Sequence, residues 1–513
     1  MVALCMLVLH GCASLPQPEE RAHSPAISEA QARETSVARA VNRLLEQREP
    51  GHSGIYALVE ADDAFAARML MARHAERSLD VQYYIWRADM TGLMLLEALH
   101  EAADRGVRVR LLLDDNNTAA IEPFLLAMHA HPNIEVRLFN PFVQRRVRWV
   151  NFVTDFSRVH RRMHNKSFTM DGTATIIGGR NIGDEYFGNA DDVLFADLDV
   201  LTIGAVVPEV SRDFDAYWNS PAAYGLDRML GERYNGVSLQ ELAARAESIA
   251  RSPAAEEYLE SLREADLLIR LFSRDLQFAW APVRMVSDAP AKVWRKHRKD
   301  SLLTEQLQEI IGNPTEDVEL VSPYFVPTAS GVNAFAWLVE QGVDVRVLTN
   351  SLAATDVAVV HAGYARRRKD LLRAGVEIYE LNHVRPKRAA GTGNRRKGRI
   401  LGSSGSSLHA KTFSVDSQYV FVGSFNFDPR SANLNTELGF VIESPELAQR
   451  IRLAFDEEIP EQAYRLSLTD KGRLRWNSNE NGESVEYRRE PKSSLLRRTG
   501  VRLLSWLPIE GLL

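Results

Sequence analysis

His164 and Lys166, with Asp171 after them, recur downstream as His409, Lys411 and Asp416: one H-x-K-x4-D pattern written twice in a single chain. An asparagine follows each histidine at the same interval, Asn181 after His164 (181 − 164 = 17) and Asn426 after His409 (426 − 409 = 17). A single match arises in roughly a few per hundred unrelated chains at ordinary residue frequencies. Two matches with like flanks, Gly178-Gly179-Arg180-Asn181 and Gly423-Ser424-Phe425-Asn426, mark a duplicated site. An imidazole beside an ammonium suits a phosphate. The ammonium and the Asn amide neutralise and orient non-bridging oxygens, while the imidazole attacks phosphorus or moves a proton.

Side chains two apart on a strand share a face, so strand geometry predicts that His164 and Lys166 point into one pocket, as do His409 and Lys411. Asp171 and Asp416 complete the candidate catalytic set but fall on the opposite parity, which reads as a role in holding the adjoining turns.

The elements that must position these groups are duplicated too. Leu79-Asp-Val-Gln-Tyr-Tyr84 answers Val318-Glu-Leu-Val-Ser-Pro-Tyr324, Gly106-Val-Arg-Val-Arg-Leu-Leu-Leu-Asp114 answers Gly342-Val-Asp-Val-Arg-Val-Leu-Thr-Asn350, and Ile134-Glu-Val-Arg-Leu-Phe answers Val376-Glu-Ile-Tyr-Glu-Leu. The offsets, 342 − 106 = 236 and 409 − 164 = 245, are those of a duplicated domain rather than a solenoid repeat. Apolar strands alternating with amphipathic stretches imply an α/β fold of two related halves with helices on both faces of each sheet. The expected divisions are a leader and tail at 1–50, a first domain at 51–235, a helical connection at 236–275, a second domain at 276–460 that opens near Phe278-Ala-Trp280, and a C-terminal extension at 461–513. Each half supplies one His and one Lys, so the cleft must lie between them and neither half should work alone.

The chain is long enough for more than one core, with 513 residues of which 45% are hydrophobic. A net charge of −6 argues against a non-specific nucleic-acid binder. Three local basic runs stand out: residues 145–162 with six arginines and Trp149, residues 292–299, expected as a surface loop, and residues 385–399 with seven Lys or Arg and no acid. The first and third are candidates to meet anionic headgroups. Both cysteines, Cys5 and Cys12, sit at the N-terminus, leaving no disulfide or Cys-metal site for the folded body. The apolar run Val2 to Leu9 is too short to span a bilayer. With Cys12 behind it, the run resembles a bacterial lipoprotein signal whose acylated residue would be Cys12, although no basic residue precedes it and His10 is unusual beside the cleavage site. Residues 495–507 mix Arg with Leu and Trp, as an interfacial helix or a helix packed on the second domain would.

The paired motifs match those of the phospholipase D superfamily. Val81-Gln-Tyr-Tyr-Ile-Trp86, Gly178-Gly-Arg-Asn-Ile-Gly-Asp-Glu-Tyr-Phe187, Val359-Val-His361-Ala-Gly-Tyr364 and Gly423-Ser-Phe-Asn-Phe-Asp-Pro-Arg430-Ser431 resemble bacterial cardiolipin synthases, above all the C-type branch. The resemblance implies two α/β/α domains sharing one active site, a phosphohistidine intermediate, and no metal or other cofactor. It also implies His164 as nucleophile, His409 as general acid and then base, and Asp197 and Glu437 as the carboxylates that orient the imidazoles. The implied reaction transfers a phosphatidyl group to phosphatidylglycerol, from phosphatidylglycerol or phosphatidylethanolamine. The implied setting is a bacterial membrane surface, reached peripherally or through a lipoprotein anchor, without nucleic acid. Competing expectations are a phospholipase D-type phosphodiesterase and a silent lipid-binding scaffold, the latter disfavoured because a silent copy would be free to lose a His or Lys.

Overall fold

A computed structural model describes residues 15–16, 24–190, 194–230, 237–263, 267, 276–294, 299–382, 407–480, 482–507 and 510–513. Cys5, Cys12, the basic run 385–399 and positions 295–298 of the shorter run lie outside the described residues.

The first half contributes β1 (His52–Leu58), β2 (Ser78–Tyr83), β3 (Arg108–Asp114), β4 (Ile134–Phe139), β5 (Ser167–Met170), β6 (Ala174–Gly178), β7 (Phe195–Ala196), β8 (Asp199–Gly204) and β9 (Ala223–Gly225). The second contributes β10 (Ala279–Ser287), β11 (Asp317–Val321), β12 (Asp344–Asn350), β13 (Glu377–Leu381), β14 (Ser407–Leu408), β15 (Thr412–Val415), β16 (Tyr419–Gly423), β17 (Leu438–Glu443) and β18 (Ala463–Leu468), extended by β19 (Leu474–Glu480) and β20 (Glu483–Tyr487). The first sheet runs β1-β8-β6-β5-β2-β3-β4-β9. The second runs β10-β17-β16-β15-β11-β12-β13-β18 and then β19-β20. Place by place the two orders coincide, so the duplication read from strings of residues is a duplication of topology.

Parallel pairing of β2-β3-β4 and of β11-β12-β13 needs crossover helices. Helices Met90–Asp104 and Glu122–His129 supply them in the first half, and Thr328–Glu340 and Ala358–Arg373 in the second. Asp89 caps the first of these by accepting from the Gly92 amide at 3.0 Å. The corresponding helix of each half then ends at a glycine in the left-handed region, Gly106 (φ 93°) and Gly342 (φ 90°), where a side chain would be strained. Val81, Leu111 and Val136 are fully buried because helices cover both faces; Val207–Trp218 packs on the reverse of the first sheet and Pro445–Leu453 on that of the second.

The halves are one unit. Antiparallel pairing of β1 with β10 joins the sheets edge to edge, from His52 opposite Pro282 to Ile55 opposite Ala279. A single apolar cluster runs across the seam, with Ile177 and Val200 from the first half packed among Val422 and Phe440 from the second. A short parallel pair, β7 with β14, adds a second bridge beside the second motif.

Candidate active site

The His-Lys pairs do not lie on strands, contrary to the strand reading of their spacing: they occupy the extended segments just before β5 and β15. The cause is a change of partner. Instead of pairing within its own sheet, each segment bonds to the other half. The His164 amide donates to the Thr436 carbonyl at 2.9 Å, and the His409 amide donates to the Ala196 carbonyl at 2.7 Å. Both pairs nonetheless turn inward, and all four side chains are buried. Each lysine folds back on its own histidine, Lys166 Nζ donating to the His164 carbonyl at 2.5 Å and Lys411 Nζ to that of His409.

The side chains cross the seam as well. His164 Nδ1 meets Glu437 Oε2 at 2.8 Å and lies 3.1 Å from the Ser424 carbonyl oxygen. His409 Nδ1 meets Asp197 Oδ2 at 2.5 Å. The two carboxylates occupy matching places, because Asp199 pairs with Gly178 as Gly439 pairs with Gly423, and each acid lies two residues earlier. With Nδ1 on both rings turned to a carboxylate, Nε2 is left for a substrate. Asn181 anchors itself by accepting from the Ile85 amide at 3.1 Å. Its Nδ2, a donor, and Oδ1 of Asn426, an acceptor, are buried with no hydrogen-bond partner among the described residues.

The two ends are electrostatically unequal. Burial, followed by the charges of Lys166, Lys411 and His409, holds the His164 imidazole well below its ordinary value. Burial also lowers His409, but Asp197 pulls back by charge and hydrogen bond. On Asp197 itself burial pushes upward, yet the His409 imidazole and the Lys411 ammonium prevail and hold the carboxyl below the usual range. Glu437 goes the other way: burial lifts it to about 7 against the opposing pull of Lys166 and Ser424. The His409–Asp197 pair is therefore the more ionic one, while His164 stays a neutral imidazole. Burial drags the ammonium groups down to about 7 at Lys166 and about 8 at Lys411.

Several wall residues escape sequence reasoning. Tyr84 meets His164 edge-on at 5.0 Å between ring centroids and carries Lys166 Nζ over its face at 5.5 Å. Tyr186 and Phe195 flank His409 at 5.3 and 4.9 Å. Ser424 Oγ donates to Glu437 Oε2 at 2.5 Å, and Arg180 donates to the Asp197 carbonyl at 2.7 Å while its other bonds reach the Leu58 and Val59 carbonyls. The one available signal was position: Tyr84, Arg180 and Ser424 all sit inside the duplicated strings.

Asp171 and Asp416 must be removed from the catalytic set. Asp171 (φ 52°) accepts from the amides of Glu76, Arg77 and Ser78 at 2.8–2.9 Å, and Asp416 (φ 54°) accepts from those of Thr315 and Glu316 at 2.8 Å. Each closes the turn at the far end of the strand that follows its His-Lys pair, tying it to the start of the antiparallel neighbour, β2 or β11. Asp171→Ala strips three amides of their acceptor and leaves a β-carbon in a left-handed turn, an expected loss of about 2–4 kcal/mol of stability with kcat within about twofold. Thermal unfolding and turnover on the same preparation check it; a large fall in kcat with an unchanged melting temperature contradicts the structural role.

Two basic runs also need correcting. Arg145 and Arg148 are half-buried and bond Asp115 and Glu122, Arg158 pairs with Asp155, and Arg162 is buried against Asp114. Internal acids already hold these arginines, so they do not reach outward. Lys292, read as part of a surface loop, is buried 2.8 Å from Asp288 and donates to the Ser431 carbonyl at 2.9 Å.

Two-fold topology with histidines exchanged across the seam defines a two-lobed phospholipase D-like enzyme. Two stretches, residues 70–218 and 307–459, match the family model described as "Cardiolipin synthase, PLD-like domain", and the chain belongs to that family. It is 49% identical over 480 residues to cardiolipin synthase C of Escherichia coli K12, covering 93% of this chain and 99% of that one. It is 23% identical over 404 residues to cardiolipin synthase 1 of Staphylococcus aureus, covering 78% and 66%. Among solved structures, phosphatidylserine synthase of Haemophilus influenzae superposes with a TM-score of 0.56 at 12% identity, over 93% of this chain and 99% of that one, a likeness of fold.

Proposed function

We propose that the protein is a phosphatidyltransferase that makes cardiolipin by moving a phosphatidyl group onto a glycerol hydroxyl of phosphatidylglycerol. Nε2 of neutral His164 attacks phosphorus, the bond from phosphorus to the leaving alkoxide breaks, and the His409 imidazolium gives that oxygen its proton. His409, now neutral, takes the proton of the incoming hydroxyl, whose oxygen attacks phosphorus and expels His164. Lys166, Lys411 and the two Asn amides hold the non-bridging oxygens through both steps. The observation that carries this reading is the crossed pairing: each histidine is oriented by the other half's carboxylate, and although burial and the Lys411 charge lower His409 as they do His164, Asp197, held below the usual carboxyl range, supports a positive ring at His409 more than Glu437 does at His164.

Transfer over hydrolysis requires a phosphohistidine sheltered from water. His164 and His409 are 7% and 5% exposed, which favours a lipid acceptor over bulk water. Purified protein on vesicles of phosphatidylglycerol and phosphatidylethanolamine is expected to yield cardiolipin with free glycerol or ethanolamine, the released alcohol naming the donor. Phosphatidic acid without cardiolipin makes it a phospholipase D-type phosphodiesterase instead. We infer further that it works at a bacterial membrane surface; among the described residues no helix is long and apolar enough to cross a membrane. Lipid attachment through Cys12 remains part of this proposal.

A further inference from the structure

Apart from Arg146, the arginines of residues 145–162 turn inward, and most of what the segment shows to solvent is apolar. Trp149, Phe152, Val153 and Phe156 lie on a 3-10 turn, Arg148–Val150, and two short helices, Asn151–Thr154 and Phe156–Val159, that break at Asp155, and all four are exposed, Trp149 by 68% and Val153 by 74%. Looseness does not explain it. Buried Asn151 pins the segment from behind, its Oδ1 accepting from the amides of Val143 and Gln144 at 3.0 and 2.9 Å and its Nδ2 donating to the carbonyls of Gln144 and Arg148 at 2.8 and 2.9 Å. The internal bonds of Arg145 and Arg148 hold the same side.

A second element repeats the pattern. The C-terminal helix Leu495–Leu504 buries Val501 against Leu352 and Ala362 and turns Leu496, 85% exposed, to solvent, with Trp506 just beyond it at 71%. Arg430 links the first element to the last residues of the chain. The Phe156 ring stacks on His160 at 4.6 Å, and Arg430 donates to the His160 carbonyl at 3.0 Å and to the Leu512 carbonyl at 3.3 Å. His160 lies four residues before His164, so the first element leads directly into the cleft wall.

We propose that the helical segment 148–159 and the C-terminal helix together form a docking face for an anionic phospholipid bilayer. Charge complementarity selects this occupant. The exposed residues of 145–160 and of 491–507 include Arg146 and Arg502 and no acid, and Asp155 is half-buried on Arg158. Tryptophan and leucine beside arginine is the composition that settles at a headgroup boundary. The proposal rests on the phosphatidyltransferase reading in one respect: a two-chain lipid must lend its headgroup to a buried centre while its acyl chains stay in the bilayer, and an apolar rim beside the cleft meets that need.

The test measures sedimentation of the full chain with sucrose-loaded phosphatidylglycerol and phosphatidylethanolamine vesicles, alongside its turnover of dihexanoyl-phosphatidylglycerol kept below its micelle concentration. The double variant Trp149→Ser with Val153→Asp is expected to lower vesicle partitioning at least about tenfold while the rate on the monomeric lipid stays within about twofold. Trp149→Phe keeps an apolar ring there, so it should restore partitioning yet lose the fluorescence quenching that brominated acyl chains impose on Trp149, which reads insertion without any variant that threatens folding. Unchanged partitioning, equal loss on both substrates, or a self-association without vesicles that the double variant abolishes overturns the proposal, the last by assigning the face to a second copy. Vesicle binding that depends on these residues but yields no cardiolipin overturns the transferase reading and leaves the docking face standing.

Discussion

His164→Ala is expected to abolish cardiolipin formation, a fall in kcat of at least about 10⁴-fold, because the proposed nucleophile of the covalent intermediate is then missing. His409→Ala should do comparable harm with a natural donor, for a different reason: the leaving alkoxide then departs without a proton. The two failures separate when the donor is phosphatidyl-p-nitrophenol, whose leaving group needs no acid. On that donor His409→Ala should release one equivalent of nitrophenolate in a burst and accumulate phosphohistidine at His164, since the second step still lacks its base. His164→Ala should give neither burst nor adduct. Mass spectrometry of quenched samples locates the adduct, and phosphate on His409 in the His164→Ala variant reverses the assignment. The assignment draws on the inequality of the two pairs: burial lowers both rings, but the ionised Asp197 opposes it at His409 by charge and hydrogen bond, whereas Glu437, itself lifted by burial to about 7, gives His164 less support.

How much of this centre was legible in advance depends on what kind of interaction fixes each residue. The doubled H-x-K-x4-D pattern and its 17-residue interval to Asn survive in the sequence because the phosphate demands those side chains in both halves. The matched strings likewise fall on β2 and β11, β3 and β12, and β4 and β13, where apolar runs record full burial. What sequence order cannot carry is which carboxylate serves which histidine: Glu437 lies 273 residues from its ring and Asp197 lies 212 from its own, and the pairings across the seam, β1 with β10, β7 with β14 and Met163 with Thr436, bring them together. The same limit explains two of the readings that failed. A strand reading of His164 and Lys166 assumes pairing within the local sheet, whereas the backbone there bonds to Thr436 of the other half. A headgroup reading of Arg145 and Arg148 counts charge along the chain, blind to Asp115 and Glu122 that fold against them.

Lys166→Met should separate stability from catalysis more sharply than any other single change. Burial drags the Lys166 ammonium from 10.5 to about 7, so below pH 7 the folded protein carries a charge it would shed and the unfolded chain would not. A depressed lysine binds fewer protons when folded than when unfolded between the two values, so stability rises with pH across that window, from about 7 to 10.5. The penalty is thus complete at pH 6, where removing the charge should raise stability on the order of 3 kcal/mol, less than the whole shift because Glu437 loses its countercharge. The gain should shrink as pH climbs toward 10.5 and vanish there. Activity moves oppositely: losing one donor to the phosphate oxygens should cost about 10²–10³-fold in kcat at any pH. In the wild-type protein kcat/KM should fall as pH passes about 7 and then about 8, where Lys166 and Lys411 give up their protons. A bound phosphate anion favours both ammonium groups, so the fall in kcat should lie at least about one pH unit higher. Chemical denaturation of wild type and variant from pH 6 to 10, paired with rate profiles, checks both limbs. A variant no more stable at pH 6, or a stability difference that widens with rising pH, means that Lys166 is not a buried ammonium held in place for the substrate.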